Sequence, residues 1–456
     1  MYLKFSERIV RNKACLRKAL FATLIIVVTG SSIRFFPAAS DAEEPQSLTI
    51  DQAVDTALRE NRDLKAARIQ TEEAKGRLVQ AGLFPNPSLE TDFSSDFVFA
   101  NEGERDFSAG LFQPLSLSGR IGAQKKVARV GMKRTLADIA DLERILVRDV
   151  RRAFIELLGI DEQIKLQDAL ANLNRELIKG IESGIREGLA SVRDLNAVTI
   201  ALQQARQEKE VLIAQRKSKI LELNRLLGKS STFPFLPQGK IEYEAAKDLT
   251  KYSVEKAYEQ RPDLRLAELS AELASADLDL AKASRFEDVR AGISYEHKRD
   301  VLDIPEGSIP NTDNLIGIKL TIPLPFFDRK QGLIAETRAR ERRAEESVEA
   351  LKLQISQEVS DALNRVTTLS ALLDTYQSGI LKTAEDNVKL VEGGYKEGLA
   401  GIADVIQSRL QFANLKSSYI NTVRDYQIAL NDLQISTGIY PGTITFNEIE
   451  KEDENK

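Results

Sequence analysis

The segment Gly184–Leu195, GIREGLASVRDL, occurs again 210 residues on as Gly394–Val405, GYKEGLAGIADV, with EGLA identical at Glu187–Ala190 and Glu397–Ala400. Long charged segments with apolar stripes flank each copy, so each reads as a glycine-interrupted turn between two long helices. Two such turns in one chain require a duplicated architecture.

Other pairs extend the repeat. Asp63-Leu64 is matched by Asp263-Leu264 at an offset of 200, and Gln113-Pro114-Leu115 by Ile322-Pro323-Leu324 at 209. Gly119-Arg120 matches Asp328-Arg329 at the same offset. The second copy therefore gained residues between the first pair and the second, mainly in its hairpin, where added surface chain costs little.

Within a copy the period changes from helix to strand and back. Asp51 is a candidate N-cap, followed by Ala53, Val54, Ala57 and Leu58 at helical spacing. This helix runs to about Gly82, where Pro85 and Pro87 stop it, and Tyr252–Leu280 is its counterpart. Then Leu89, Thr91, Phe93, Ser95, Phe97 and Phe99 alternate with Ser88, Glu90, Asp92, Ser94 and Asp96. Residues 105–113 alternate more weakly through Phe107, Ala109 and Leu111. Val289, Ala291, Ile293 and Tyr295 form a third set, and Ile316, Ile318, Leu320 and Ile322 a fourth. Each run is about ten residues, enough for a tilted strand to cross a bilayer. Polar loops near 100–104 and 299–312 join them in pairs, predicting one hairpin per copy, at about 88–114 and 288–323.

Helical period returns over about 119–184 and 192–227, and again over about 331–391 and 402–437. The first of these is a rod of roughly 100 Å. The helix after the turn and the helix before the hairpin, at roughly 55 Å and roughly 50 Å, match it when laid end to end. The predicted domain plan is thus a first repeat at 41–228, a linker at 229–251, a second repeat at 252–440 and an acidic, disordered tail at 441–456.

Residues 1–40 stand apart as a signal peptide. Lys4, Arg8, Arg11, Lys13, Arg17 and Lys18 precede the apolar run Ala19–Gly30, and small residues follow at Ala38-Ala39-Ser40 or Ser40-Asp41-Ala42. Cys15, the only cysteine, lies before that run, which predicts no lipid anchor and a mature chain without disulfide or thiolate chemistry. Cleavage there removes seven basic residues and one acidic one, taking the net charge from −5 to −11 and arguing against nucleic-acid binding.

Chemistry finds no support in the residues. With no mature cysteine, one histidine (His297) and two methionines, no transition-metal cluster is expected, and no cofactor. No Ser/His/Asp set and no glycine-rich phosphate loop is present, so the chain does not read as an enzyme.

Four spanning strands cannot close in lipid, because an open edge leaves backbone groups unpaired at several kcal/mol each. If the strands span a membrane, several chains must complete one barrel. Glu90, Asp92 and Asp96 would then line its lumen, although a soluble sandwich gives the same alternation.

The chain resembles the TolC-like outer-membrane efflux proteins over residues 48–440, through the paired EGL turns, the helix–hairpin–helix halves and the leader. FPNPSLE at Phe84–Glu90, QPLSLSGR at Gln113–Arg120 and IPLPFFDRKQG at Ile322–Gly332 are similar to the heavy-metal efflux branch. The resemblance implies a mainly helical homotrimer with a shared twelve-stranded transmembrane β-barrel in outer-membrane lipid, continued by a long α-helical barrel. It also implies docking to a periplasmic adaptor and an inner-membrane pump of the resistance-nodulation-division type. The EGLA turns would be its periplasmic tips.

Site candidates follow from that picture. Asp404 stands where relatives carry an acidic residue at the tunnel entrance, so three copies would make an acidic ring. Gln407 replaces the second acid of the pattern, thinning that ring, and Asp194 is the first-half partner. A capping or solvated carboxylate is the competing reading of both aspartates. Gly188 and Gly398 suit any tight turn, whereas exposed Leu189 and Leu399 point to a partner that covers them. Metal cations are the expected cargo, with drugs or other small molecules as the alternative. A soluble periplasmic coiled-coil scaffold is the competitor from another class; it would keep the helices but not need the strands.

Overall fold

The computed structural model describes residues 46–96, 103–246, 248–305 and 307–439. The leader with Cys15, the strand positions Phe97 and Phe99, and the acidic tail lie outside the described residues.

The chain opens with strand β1 (Gln46–Leu48) and helix α1 (Ile50–Glu60). The N-cap is Thr49, not Asp51. Its hydroxyl accepts from the Gln52 N–H at 3.3 Å and Gln52 accepts from the Thr49 N–H at 3.0 Å, so Asp51 falls in the first turn. The expected single helix is also two, because Asn61 adopts ψ 129° and caps a new helix, α2 (Arg62–Ala81). The second copy breaks at the equivalent point, between α5 (Val254–Gln260) and α6 (Pro262–Ala283). There Pro262 biases Arg261 away from helical backbone, to ψ 122°.

Strands β2 (Ser88–Ser95) and β3 (Arg105–Leu115) form the first hairpin, β5 (Val289–Ile304) and β6 (Gly307–Thr321) the second. All pairings are antiparallel and the order is β2-β3-β5-β6. The expected polar loop at 299–312 is mostly ladder, since Arg299 pairs with Thr312 and Ile304 with Gly307. Polar side chains at a sheet's end do not prevent backbone pairing, so the second hairpin keeps to the expected bounds but has longer strands and a shorter loop than its composition suggested.

Helix α3 (Arg120–Arg186) returns from the sheet, and α4 (Val192–Leu226) runs back beside it. In the second copy the return is interrupted. α7 (Gln331–Thr375) passes through a π turn at Tyr376–Ile380 into α8 (Leu381–Lys396), then α9 (Ile402–Ser436). Gly379 at φ 127° allows this break in the predicted 331–391 rod, because side chains disfavour that backbone.

Helices lie side by side in the order of their strands. α2 packs on α3, α3 on α6 and α6 on α7, while nearer the turns α4 packs on α3, α3 on α9 and α9 on α7 and α8. The start of α2 meets the end of α4, where the Asn61 amide donates to the Leu226 carbonyl at 2.9 Å. Gly228 closes this joint at φ 70°, with no room for a Cβ beside the Glu60 carbonyl.

The core is densest around these joints. Phe154, Leu157, Val150, Leu223, Leu227 and Phe235 form one buried cluster with α1 and the small sheet in which β1 pairs in parallel with β4 (Phe235–Pro237). The predicted linker therefore carries a strand. Its later part straps α7 and α9, with Tyr243 edge-on to buried Tyr426 and Tyr252 beneath. Among the described residues no helix is long and apolar enough to cross a membrane.

Candidate functional site

The two EGLA turns have matching hydrogen bonding. Leu189 N–H donates to Gly184 O at 2.7 Å and Ala190 N–H to the same oxygen at 3.2 Å. Leu399 and Ala400 repeat this on Gly394 O at 2.7 and 3.2 Å. Gly188 and Gly398 hold φ 77° and 76°, the left-handed closure of a helix end. Leu189 and Leu399 project outward at 80 % and 81 % exposure.

The turns lie together. Ile181 of α3, Val198 of α4, and Ile402 and Val405 of α9 form one buried cluster, with Val391 and Tyr395 of α8 against it. Burial, with the Asp194 charge, pushes the Tyr395 hydroxyl above its usual range.

Both aspartates close the helix that follows their turn. Asp194 accepts from the Ser191 hydroxyl at 2.6 Å and the Ser191 N–H at 3.2 Å. Asp404 accepts from the Gly401 N–H at 2.9 Å and stays exposed, as does Gln407. A carboxylate in the first turn of a helix is favoured by the dipole, so a local role accounts for both positions. One turn further, Arg409 bonds Glu392 of α8 at 2.6 Å and reaches Asn174 of α3 at 3.4 Å.

The sheet has two unlike faces. Leu89, Leu111, Ile293 and Ile318 form one cross-strand row of exposed apolar side chains, continued by Tyr295 and Ile316. The opposite face carries Glu90, Asp92, Ser108, Arg290, Glu296 and Lys319. Glu90 pairs with Arg290, and Phe112 lies under the Arg290 and Lys319 charges. Asp96 accepts from the Gly103 N–H at 2.9 Å near the hairpin tip. His297 shares the first face and bonds Asn314 at 2.8 Å. Among the described residues no group of three or more His, Cys, Asp or Glu side chains is placed to hold a metal ion.

Sequence reasoning missed a buried charge network at the second joint. Arg261, with its side chain 2 % exposed, bonds Asp263 and Glu358 at 2.6 Å each and donates to the Ser436 carbonyl at 3.2 Å. Arg144 of α3 joins through Asp141 at 2.7 Å and Asp263 at 3.5 Å. Burial opposes charge on both Arg261 and Asp263, yet their pairing wins. It holds the guanidinium above, and the Asp263 carboxyl below, their ordinary values. Asp141 goes the other way, raised by burial against the pull of Arg144. The one available signal was the position of Arg261-Pro262-Asp263-Leu264 opposite Asn61-Arg62-Asp63-Leu64 in the repeat.

The family model described as Outer membrane efflux protein matches residues 53–229 and 253–438, nearly all of both helix–hairpin–helix halves. The chain belongs to that family. It is an outer-membrane efflux channel and not an enzyme. Among relatives, the cobalt-zinc-cadmium resistance protein CzcC of Cupriavidus metallidurans is 24 % identical over 442 residues, covering 90 % of this chain and 98 % of that one. The pyoverdine export outer membrane protein OpmQ of Pseudomonas putida is 23 % identical over 431 residues, covering 86 % and 84 %. The crystal structure of CusC shares the fold, with TM-score 0.71 and 19 % identity over 85 % of this chain and 92 % of that one.

Proposed function

We propose that three copies of the chain assemble into one duct that passively conducts metal cations out of the periplasm, supplied by a periplasmic adaptor and an inner-membrane pump of the resistance-nodulation-division type. The observation that carries the assembly is the alignment of unpaired edges. Among the described residues, β2 and β6 each lack a second neighbour in the four-stranded sheet. The helices continuing those edges expose apolar residues, Ile69 and Val79 on α2, Ile200 on α4, Leu353 on α7 and Leu390 on α8. An edge open in lipid costs several kcal/mol per unpaired group, so the β2 edge of one copy meets the β6 edge of the next.

The paired turns are the docking tips in this reading. Exposed Leu189 and Leu399, at matching places in matching turns, suit a partner that meets both copies of the repeat alike. Asp404 contributes a ring at the entrance in addition to its capping bond, and Gln407 leaves that ring with one acid per copy. Glu90, Asp92 and Asp96 belong to the lumen side. The leader directs export and the mature chain carries no lipid.

Metal cargo is supported by the full-length likeness to a cobalt-zinc-cadmium resistance protein. The similar likeness to a pyoverdine exporter supports a second reading, in which the cargo is an organic small molecule. Deleting the gene and measuring growth on cobalt, zinc and cadmium salts against hydrophobic drugs tests the choice. Metal sensitivity alone is the expected result, and drug sensitivity without metal sensitivity would reverse it.

A further inference from the structure

The two edges of the four-stranded sheet carry opposite charges that their own chain leaves unpaired. On the charged face of β2, Glu90 is taken by Arg290. Asp92 is exposed and lies opposite Ser108, with Asp106 and Gly110 as its next neighbours on β3. On the same face of β6, Lys319 is exposed, lies opposite Gly292 and stands 5.8 Å from the centre of the Phe112 ring. Its diagonal neighbour on β5 is Arg290, a like charge already engaged by Glu90. Neither Asp92 nor Lys319 has an ion-pair partner among the described residues.

Closure fixes which residues of the two edges meet. One level row runs through Ser88, Phe112, Gly292 and Lys319 across β2, β3, β5 and β6. In a closed barrel the strands tilt, so this row meets the next copy's β2 away from Ser88. The offset must be even, because an odd one turns the charged face to lipid. Four strands at about 4.8 Å give each copy a width of about 19 Å. An offset of two, four or six residues at about 3.4 Å each then tilts the strands by about 20°, 35° or 47°. Only four falls within the usual tilt of roughly 35–45°. Strand handedness sets the direction. The Asp96 N–H donates to Glu104 O at 3.4 Å, so β2 residues on the charged face aim their amides at β3. With L-residues and that face inward, β3 lies to the left of β2 seen from outside with the helices down. Right-handed coiling of the strands then makes the row climb toward the hairpin tips as it passes from β6 to the next copy. Lys319 comes opposite Asp92, and Ile318 opposite Phe93 on the apolar face.

We infer that Lys319 of one copy and Asp92 of the next form an ion pair across each seam, on the inner side of the barrel. The pair gives each edge charge the counterion that its own chain lacks, and it defines the register in which copies join. A slip of two residues would set Lys319 against Glu90, already engaged by Arg290, or against Ser94. The inference rests on the proposed closure of three copies through the β2 and β6 edges.

Charge reversal tests the pair. In the full-length protein, Lys319→Asp or Asp92→Lys sets like charges against each other at every seam. Each should cut the fraction of three-chain particles that survives mild heating in dodecyl sulfate by about ten-fold. The double swap, Asp92→Lys with Lys319→Asp, should restore survival to within about two-fold of the parent. Losses that multiply in the double swap would overturn the pair. Cysteine cross-linking tests the register, since the chain's single cysteine, Cys15, can be replaced by serine. In a Cys15→Ser chain, Asp92→Cys with Lys319→Cys should oxidise to covalently linked chains about five-fold more than Glu90→Cys or Ser94→Cys with Lys319→Cys. A stronger yield from either flanking pair would overturn the register and leave closure standing. No linked chains from any of the three would instead overturn closure across these edges.

Discussion

The Asn61 side chain donates to the carbonyl of Leu226 at 2.9 Å while its oxygen accepts from the Leu64 N–H at 2.9 Å. One amide thus caps the start of α2 and the end of α4, and stacks two helices into a rod alongside α3. Arg261 repeats the outer half of this arrangement on Ser436, 3.2 Å away, but with a charged group that needs Asp263 and Glu358 as counterions. The two joints are equivalent in position and different in chemistry.

Asn61→Ala removes both bonds. Loss of the cap costs about 1 kcal/mol, and an unpaired buried carbonyl about 1–3 kcal/mol more. Asn61→Ser keeps a cap and loses only the reach to Leu226, so it should fall between parent and Asn61→Ala in thermal unfolding followed by helix content. Equal midpoints for the two variants would contradict the double role.

Glycine replacement should separate the joint from the tip. Gly188 has φ 77° and open space where an alanine methyl would sit, so Gly188→Ala costs about 1 kcal/mol of backbone strain. Gly228 has φ 70°, and a Cβ would lie 2.2 Å from the Glu60 oxygen. Gly228→Ala therefore adds a backbone displacement of about 1–3 kcal/mol to the same strain. Denaturant midpoints should show the larger loss at Gly228.

The charge network sets a pH dependence. Asp263 titrates below its ordinary range in the folded chain, so its contribution is complete above the unfolded value of about 3.9 and is lost as pH falls through the folded value. Asp263→Asn should cost about 3 kcal/mol at neutral pH, the low end for breaking a buried pair because Glu358 still faces Arg261. The gap between parent and variant should narrow only as pH is lowered past about 4. A gap that persists unchanged in stronger acid would show that packing, and not the ionised carboxylate, is responsible.

At the tips, Leu189→Asp with Leu399→Asp should leave unfolding within about 0.5 kcal/mol, since both side chains are exposed. Efflux in cells should nevertheless fall to the level of the deletion strain. Undiminished efflux would remove these leucines from the docking surface.

Much of this architecture was legible because period and repeat carry it. The change from 3.6 to 2 and back located the strands, and two copies of EGLA located the turns. What escaped notice depends on long-range contact. Thr49 outcompetes Asp51 as a cap through a reciprocal bond with Gln52, which capping preference alone does not rank. The breaks at Asn61 and Arg261 matter because Leu226 and Ser436 arrive beside them from far along the chain. Gly379 was visible as a residue, but its break in the rod was not, because a glycine inside an otherwise helical pattern is compatible with continuous helix. At the tips, the sequence offered Asp194 and Asp404 both as entrance charges and as capping groups, and the bonds to Ser191 and Gly401 give the capping geometry directly.

In the proposed assembly three chains close one barrel across the β2 and β6 edges. Purified full-length protein in a planar bilayer, with the mass of the detergent-solubilised particle measured on the same preparation, tests this most directly. Stepwise ion conductance from a particle of three chains is the predicted result. A single-chain particle that stays in solution and carries no current would contradict it.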